Sequence, residues 1–270
     1  MIPFRDNIPS RRDPVLTVAL IALNVLVYFF QWVLDDQART RFVFRFGAIP
    51  RAFQVIGKGE QAFSMPLGQP QWVLRNGQEV LVDPPLADVR LSGTWAAALV
   101  PLVTSMFLHG SWLHVIGNMW FLWLFGDNVE DRLGRARFVL LYLLSGLAAT
   151  VSQVIVNWGE LTPIIGASGA VAGVLGAYMI TYPYARVLTF VPFFYFFWPV
   201  VELPAFVFLL LWFLMQFVQG TAALAVPAAG GVAWWAHVGG FIAGLILMRL
   251  IAPEPRGQDG PTWNEPVESP

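Results

Sequence analysis

Residues 15–34 read VLTVALIALNVLVYFFQWVL and contain no charged side chain over 20 positions. An α-helix rises about 1.5 Å per residue, so this stretch is about 30 Å long, the thickness of the hydrocarbon core of a bilayer. A cleavable signal sequence would have a shorter apolar core, about 7–15 residues, and would end at small residues. Here Trp32 lies near the end of the stretch and Asp35 and Asp36 follow it. The pattern therefore predicts a first membrane span.

The composition of the whole chain is also that of a membrane protein. Of 270 residues, 57% are hydrophobic and 12% are charged, and the mean hydropathy is +0.61. Soluble domains carry about 25% charged residues and cannot hide this much apolar surface, so the excess must face lipid. The net charge of −1 offers no basic surface to a nucleic acid. The absence of cysteine excludes disulfides, thiolate metal ligands and a cysteine nucleophile.

Further apolar stretches predict five more spans, which makes the fold class an all-α polytopic membrane protein with a bundle of six transmembrane helices. The five predicted spans cover residues 111–130, 136–157, 168–182, 201–218 and 234–251. The chain is thereby divided into an N-terminal segment, residues 1–14, a membrane domain, residues 15–252, and a tail, residues 253–270. The tail is polar, acidic and rich in proline, so it is expected to be disordered.

Two segments outside the six spans have patterns of their own. The long outer loop, residues 35–94, contains apolar runs on both sides of Asn76-Gly77, a pattern that predicts a β-hairpin over residues 72–82. An aromatic run at residues 187–200 is broken by Pro192 and Pro199. Its prolines and its short length favour an interfacial or re-entrant segment over a seventh span.

The distribution of arginine predicts the orientation of the spans, because short loops that carry Lys and Arg stay in the cytoplasm. Arginines precede the first span and lie between the second and third, whereas residues 158–167 and 219–233 contain neither Lys nor Arg. Both termini are therefore predicted to be cytoplasmic. The absence of a targeting segment favours the plasma (inner) membrane of a prokaryote, with an organelle as the alternative.

Polar residues inside predicted spans are candidates for function, because their burial in lipid is costly. His114 lies near the start of span two, Ser168 opens span four, and His237 lies near the start of span six. Even-numbered spans run from the outer to the inner side, so all three starts lie at the outer side. These three side chains are expected at one depth, just below the outer surface.

The local sequence around two of these positions suits the chemistry of an anion. His114 and Asn118 are four residues apart, so they project from one face of their helix. Ser168 stands at a helix N-terminus, where free backbone N–H groups and the helix dipole favour a developing negative charge. Gly166 and Gly169, on either side of it, permit a tight turn into the helix.

Glycines predict that span six approaches span four closely. Gly240 and Gly244 form a small-xxx-small face on span six, and Gly173 is one of the glycines that mark span four as its partner. His237 precedes Gly240 by about one helical turn and so lies on that face. A contact between Ser168 and His237 is therefore physically reasonable.

Three plainer interpretations of these residues stay open at this point. A serine at the start of a helix is most often an N-cap, and small-xxx-small faces serve helix contacts more often than chemistry. His109, His114 and His237 could bind zinc, although no Asp or Glu lies at that depth and Asn is a poor ligand. Histidines could also form the proton relay of a transporter, but no ionisable residue lies near the bilayer centre, where transporters place their sites.

Four motifs together resemble the rhomboid family in order and in spacing. They are residues 104–118, TSMFLHGSWLHVIGN, in span two; residues 126–134, GDNVEDRLG, in the position of the loop that follows; residues 166–169, GASG; and residues 236–240, AHVGG. GxSG alone is weak, because hydrolases with a nucleophile elbow share it. The combination is specific, and the resemblance covers approximately residues 95–250.

The resemblance implies an intramembrane serine protease with a six-helix core and a Ser-His dyad that lacks a carboxylate. Ser168 would be the nucleophile and His237 the general base. The Ser168 backbone N–H, His114 and Asn118 would hold the oxyanion, with no metal and no cofactor. The implied partners are the lipid bilayer and transmembrane protein substrates, which would be cleaved near the outer face. No nucleic acid is expected.

Two further points concern the surroundings of the implied site. Family members often carry an aromatic residue one turn below the serine, beneath the histidine, whereas this chain has Ala172 there. Lateral access of the substrate is expected past span five, whose outer end carries Trp212, Phe213 and Phe217. The main alternative to a protease is a catalytically inactive rhomboid-like protein that binds membrane helices or acts in quality control.

Overall fold

The computed structural model describes residues 1–55, 61–66, 71–75, 78–82, 86–91, 95–191, 199–225 and 232–253. The helices are α1 Val15–Val33, α2 Asp36–Phe46, α3 Pro50–Val55, α4 Trp95–Thr104, α5 Trp112–Leu133, α6 Arg135–Val156, α7 Ser168–Thr181, α8 Ala205–Ala225 and α9 Trp234–Ile251. A 3₁₀ turn, Ser105–Phe107, joins α4 to α5. The strands are β1 Ile2–Asp6, β2 Gln61–Pro66, β3 Gln71–Arg75, β4 Gln78–Val82, β5 Leu86–Leu91, β6 Arg186–Phe190 and β7 Val200–Pro204.

A helix is present at each of the six predicted spans, and the fold is mainly helical as predicted. Of the described helices, α1, α6, α9 and residues Ala205–Leu224 of α8 are long and apolar enough to cross a membrane. The segments Ala98–Phe107 and Trp112–Leu133 are long and apolar enough to cross a membrane only when they are taken together, and the chain bends by 80° between them. Six full crossings stay a prediction, because α7 has 14 residues and is only about 21 Å long.

Helix α7 lies inside the bundle. All residues from Gly169 to Tyr178 are buried, and α7 contacts α5, α6, α8 and α9. A helix that is apolar on every side and surrounded by other helices needs no polar face. The core of the protein is therefore arranged around α7, with Ser168 at one end and Tyr178 towards the other.

The contact between α7 and α9 depends on glycines that bring the two backbones together. A Cβ atom on Gly240 would overlap the carbonyl oxygen of Gly169, and one on Gly244 would overlap that of Gly173. Backbone atoms cannot yield as a flexible side chain can, so larger residues at these positions would push the helices apart. The small residues thus fix the distance between the start of α7 and the start of α9.

At the other end of the bundle, β1, β6 and β7 form an antiparallel sheet in the order β1-β6-β7. The Asp6 carboxylate accepts hydrogen bonds from the Tyr178 hydroxyl and from the Asn128 side-chain amide, which attaches β1 to α7 and α5. Burial raises the pKa of the Asp6 carboxyl, and the hydrogen bond from Tyr178 partly offsets this rise. The N-terminal segment is therefore part of the fold.

The aromatic run at residues 187–200 does not contain a seventh helical span in its described parts. Its two ends belong to β6 and β7, and residues 192–198 lie outside the described residues. Val187 and Thr189 are buried while their neighbours are not, which is the two-residue period of a strand with one covered face. β6 pairs with β7 on one side and with β1, far away in the chain, on the other. The sequence prediction of an interfacial or re-entrant segment missed this sheet.

Residues 126–134, expected to be a loop, are instead the last two turns of α5 together with Gly134, which ends the helix. Phe125, Val129 and Leu133 are buried at four-residue spacing, and this apolar stripe continues the helix. Glu130 is also buried, and its carboxylate accepts hydrogen bonds from the backbone N–H groups of Leu16 and Thr17 at the N-terminus of α1. The motif thus attaches the end of α5 to the beginning of α1.

The outer loop contains more structure than the sequence predicted. The predicted hairpin is confirmed, since β3 and β4 pair antiparallel with Arg75 opposite Gln78, and its Asn76-Gly77 turn lies outside the described residues. Helices α2 and α3 and the pair β2–β5 were not predicted. The expected disordered tail lies outside the described residues from 254 onward.

Candidate active site

Ser168 is the first residue of α7 and does not cap it. The N-cap position belongs to Ala167, and no side chain caps the helix. The plain interpretation of Ser168 as an N-cap serine is therefore wrong. The described N-cap of α7 makes no side-chain hydrogen bond, and a helix N-terminus of this kind favours a negative charge beside the Ser168 hydroxyl.

The turn before Ser168 requires a glycine. Gly166 has φ +124°, and a Cβ atom there would lie 2.7 Å from Cε1 of His114 and 2.8 Å from its Nε2. The same Cβ would lie 3.7 Å from the Ser168 hydroxyl oxygen. The His114 ring therefore lies directly against the backbone that leads into the serine. The Gly166 N–H is held at 2.9 Å from the carbonyl oxygen of Ser105, which fixes this turn.

His114 and Asn118 reach the site from the first two turns of α5. The Ser111 hydroxyl accepts a hydrogen bond from the His114 backbone N–H at 3.1 Å and caps this helix. The side-chain amide nitrogen of Asn118 lies 3.1 Å from Nε2 of His109, so His109 holds this amide. The ring centroids of His109 and His114 are 5.0 Å apart. These contacts fix both predicted oxyanion donors on the α5 side of the site.

His109 is itself held by a residue of α1. The amide of Gln31 accepts from the His109 backbone N–H at 3.0 Å and donates to its carbonyl oxygen at 3.2 Å. His109 is 2% exposed, and the N–H of Ala167 lies 3.5 Å from its Nε2. From the sequence, His109 was a member of the family motif and a possible zinc ligand or proton-relay residue, and Gln31 was not singled out. The signal that could have found Gln31 is an amide side chain within a mainly apolar span.

His237 lies in the first turn of α9, next to the first turn of α7. Its Nδ1 is 2.7 Å from Oε1 of Gln216 on α8. The indole of Trp212 lies beside the imidazole with ring centroids 5.9 Å apart, and that of Trp234 meets it edge-on at 6.1 Å. Gln216, Trp212 and Trp234 therefore surround His237, whereas the α7 position expected to carry an aromatic residue beneath it is Ala172. Gln216 is a site residue that the sequence analysis missed.

Ser168 and His237 lie at adjacent helix starts, and the described contacts include no hydrogen bond between their side chains. A cavity of about 10 Å³, room for about one water molecule, extends from Ser168 and Gly169 to Ala233 and Ala236 at the start of α9. The Ala236 N–H is in turn held at 3.0 Å by Oε1 of Gln153 on α6. Hydrogen bonds of a catalytic pair often shorten only when substrate binds.

The aromatic residues expected at a lateral gate differ in their exposure. Trp212 and Phe213 are half-buried and contact Phe241 on α9. Phe217 is 43% exposed and contacts Trp235. On α8, Trp212 thus lies towards the site and Phe217 lies on the exposed surface. Access of a substrate past this helix stays a prediction.

The fold and the site first define a class of protein. A membrane-embedded helical bundle places a serine at the uncapped N-terminus of its central helix, and a histidine at the start of the helix that contacts it most closely. The profile of the family described as "Rhomboid domain" matches residues 96–254, which is more than half of the chain. This chain belongs to the rhomboid family, whose members are generally intramembrane serine proteases.

The chain is similar to three curated rhomboid proteins over this region. Presenilin-associated rhomboid-like protein A, mitochondrial, of Danio rerio is 32% identical over 157 residues, 54% of this chain and 36% of that protein. Rhomboid protein 1, mitochondrial, of Saccharomyces cerevisiae is 31% identical over 105 residues, 37% of this chain and 30% of that protein. Presenilin-associated rhomboid-like protein, mitochondrial, of Bos taurus is 32% identical over 156 residues, 54% of this chain and 36% of that protein. The chain spans about a third of the length of these relatives.

These relatives correct the predicted location. They are mitochondrial proteins of eukaryotes by name, so the prediction of a prokaryotic plasma membrane is wrong. The prediction failed because the lipid-facing residues and arginine-rich loops indicate only that the chain crosses a bilayer about 30 Å thick and how it is oriented there. The same residues fit the membrane of an organelle equally well.

Proposed function

We propose that this chain is an intramembrane serine endopeptidase that cleaves transmembrane segments of other membrane proteins near the face where α7 and α9 begin. One observation carries the proposal. The hydroxyl of Ser168 is not used to cap a helix, and it stands at the free N-terminus of α7 between the His114 ring and the first turn of α9.

The proposed reaction is acyl transfer to serine. His237 takes the hydroxyl proton as the Ser168 oxygen attacks the scissile carbonyl carbon, and it returns this proton to the amine that leaves. The Ser168 backbone N–H, the Asn118 amide and the His114 ring stabilise the negative oxygen of the tetrahedral intermediate. Water then hydrolyses the ester between Ser168 and the carbonyl group. No metal and no cofactor take part.

The substrate follows from the position of the site. A peptide bond inside a helix is hydrogen-bonded and closely surrounded, so a transmembrane helix must unwind locally before it reaches Ser168. Helix-breaking or small residues near the cleaved bond would ease this step. The proposed substrates are therefore membrane proteins of the same bilayer with such residues near one end of a span.

The alternative is a rhomboid-like protein that binds membrane helices without cleaving them. The observation in its favour is that the described contacts include no hydrogen bond between the side chains of Ser168 and His237. The two proposals differ in whether a substrate is consumed.

Cleavage of a reporter transmembrane substrate by the purified protein in lipid vesicles decides between them. Wild type is expected to cleave, and a chelator is expected to leave the rate unchanged because the reaction uses no metal. Ser168→Ala is expected to abolish cleavage, and His237→Ala to reduce it by about 10⁴–10⁶-fold, as in other serine proteases. Binding of the reporter without cleavage by a folded wild-type protein would refute the protease and support the alternative.

A further inference from the structure

Gln216 is an amide buried on an otherwise apolar stretch of α8. It is 4% exposed, whereas its neighbours Met215 and Phe217 are 45% and 43% exposed. An amide inside a membrane helix is costly unless its polar atoms are hydrogen-bonded. The contact of its Oε1 with Nδ1 of His237, at 2.7 Å, is the hydrogen bond that accounts for this burial.

The chemistry of this contact determines which nitrogen of His237 carries the proton. The Oε1 atom of a glutamine only accepts hydrogen bonds, so in this contact, with Oε1 facing the ring, Nδ1 of the imidazole is the donor. In the neutral ring the lone pair then lies on Nε2. A residue that donated to Nδ1 instead would place the proton on Nε2, and the ring could not accept the Ser168 proton there.

We propose that Gln216 is the positioning residue of the base, and that it holds His237 in the tautomer whose Nε2 accepts the proton of Ser168. This inference rests on the proposed protease function. In a Ser-His-Asp triad an aspartate keeps the histidine in the correct tautomer and orientation. Here an uncharged amide performs that task, which suits a membrane-embedded site because no buried carboxylate has to be desolvated.

The aromatic residues around His237 complement this hydrogen bond. Trp212 lies beside the imidazole at an interplanar angle of 34°, and Trp234 is perpendicular to it at 90°. The two indoles restrict the plane of the ring but offer no acceptor to Nδ1. The hydrogen bond with Gln216 then turns the Nδ1 edge of the ring towards α8. Trp212 and Gln216 are four residues apart on one face of α8, so a single helix supplies both constraints.

Substitution of Gln216 tests the effect on turnover. Gln216→Met keeps the approximate volume of the side chain and removes the acceptor. It is expected to lower kcat by about 10–100-fold, the usual effect of losing the partner that orients a functional histidine, with KM changed less than about twofold. Gln216→Glu restores an acceptor oxygen and is expected to recover most of this loss. Gln219→Met, on the same helix, is the matched control and is expected to behave as wild type.

A spectroscopic measurement reads the tautomer without reference to activity. The full chain with ¹⁵N-labelled histidine is placed in lipid at a pH where imidazole is neutral, and the Ser168→Ala background removes any turnover. The His237 signals are expected to show Nδ1–H with Gln216 or Glu at this position, and loss of that tautomer with Met.

The possible results separate this inference from the proposed function. If Gln216→Met keeps both the Nδ1–H tautomer and the wild-type kcat, the positioning role is refuted while the protease stands. If this variant loses activity with its tautomer unchanged and Glu does not restore it, Gln216 is only structural and the inference is again refuted. If wild type does not cleave at all, the protease is refuted, and the tautomer measurement still decides what Gln216 does to His237.

Discussion

At the scale of single residues, the site is held by amide groups rather than by charges. Gln216 contacts His237, Gln31 holds the backbone of His109, and Asn118 is bound to the ring of His109. An amide can satisfy a buried donor or acceptor without bringing an ionised group into a low-dielectric region. This explains how His237, the proposed base, can lie inside a membrane without a carboxylate among its described contacts.

Asn118 gives the residue-scale prediction. Its amide nitrogen has two hydrogens, and His109 engages one of them, which leaves a second donor for an oxyanion. Asn118→Ala is expected to lower kcat by roughly 10²–10³-fold, the usual effect of losing one oxyanion donor, while KM and the melting temperature change little. Steady-state kinetics and thermal unfolding in the same lipid check this. Unchanged turnover together with a lower melting temperature would make Asn118 a packing residue instead.

Some residues of the candidate site could be predicted from the sequence and others could not. Ser168, His114, Asn118 and His237 were singled out because each belongs to a motif of fixed spacing in a family pattern, and their roles stay predictions. Gln216 was not found, since a glutamine in an apolar helix belongs to no motif, and its partner is 21 positions away in the chain. Burial of a polar side chain in lipid was the available signal, and it had been applied to histidine and serine only.

At the scale of elements, α7 and α9 determine the geometry of the site. Their backbones meet at Gly169 with Gly240 and at Gly173 with Gly244, which on α9 is about one turn and two turns below His237. The distance between the start of α7 and the start of α9 is therefore set by two backbone contacts that carry no side chain. Any enlargement there is transmitted to Ser168 and His237, because both are in the first turns of these rigid helices.

Gly244→Ala gives the element-scale prediction. Its new Cβ would overlap the backbone of Gly173, so the helices must separate, at about 1–3 kcal/mol of stability, the usual effect of overpacking a core. Both the melting temperature and the cleavage rate are expected to fall.

Gly117→Ala on α5 is the control, since a Cβ at Gly117 would meet nothing within 4 Å. It is expected to keep wild-type stability and activity. If Gly244→Ala were as stable and as active as this control, the close contact between α7 and α9 would not determine the site.

Elements were predictable where the pattern of one segment was sufficient. The membrane helices were found from long apolar runs, and the β3–β4 pair from alternation around Asn76-Gly77. The sheet β1-β6-β7 was missed because it joins residues 2–6 to residues 186–204, and no local pattern reports such a distant pairing. Helix α2 was missed because it has only 11 residues and a charged sequence, DQARTRFVFRF, which does not resemble a membrane span.

At the scale of the whole molecule, the two ends of the bundle have different tasks. One end holds Ser168, His114 and His237 at the starts of α7, α5 and α9. The opposite end is closed by the sheet β1-β6-β7, and by the attachment of Glu130 to the N-terminus of α1. Because these three side chains lie on helices rather than on loops, the packing of the helices holds them in place. The antiparallel order of the helices made this shared depth predictable from the sequence, whereas the compartment was not.

Covalent labelling with a fluorophosphonate tests the central claim most directly. Such a reagent reacts with a serine whose hydroxyl is activated by a neighbouring base, and a serine without such a base remains unreactive. The purified wild-type protein in lipid is expected to be labelled at Ser168 alone, as read by mass spectrometry of its peptides. Ser168→Ala is expected to abolish the label and His237→Ala to reduce it nearly to background, with both variants folded. A folded wild-type protein that takes no label at Ser168, or a His237→Ala variant that labels as fast as wild type, would contradict the account.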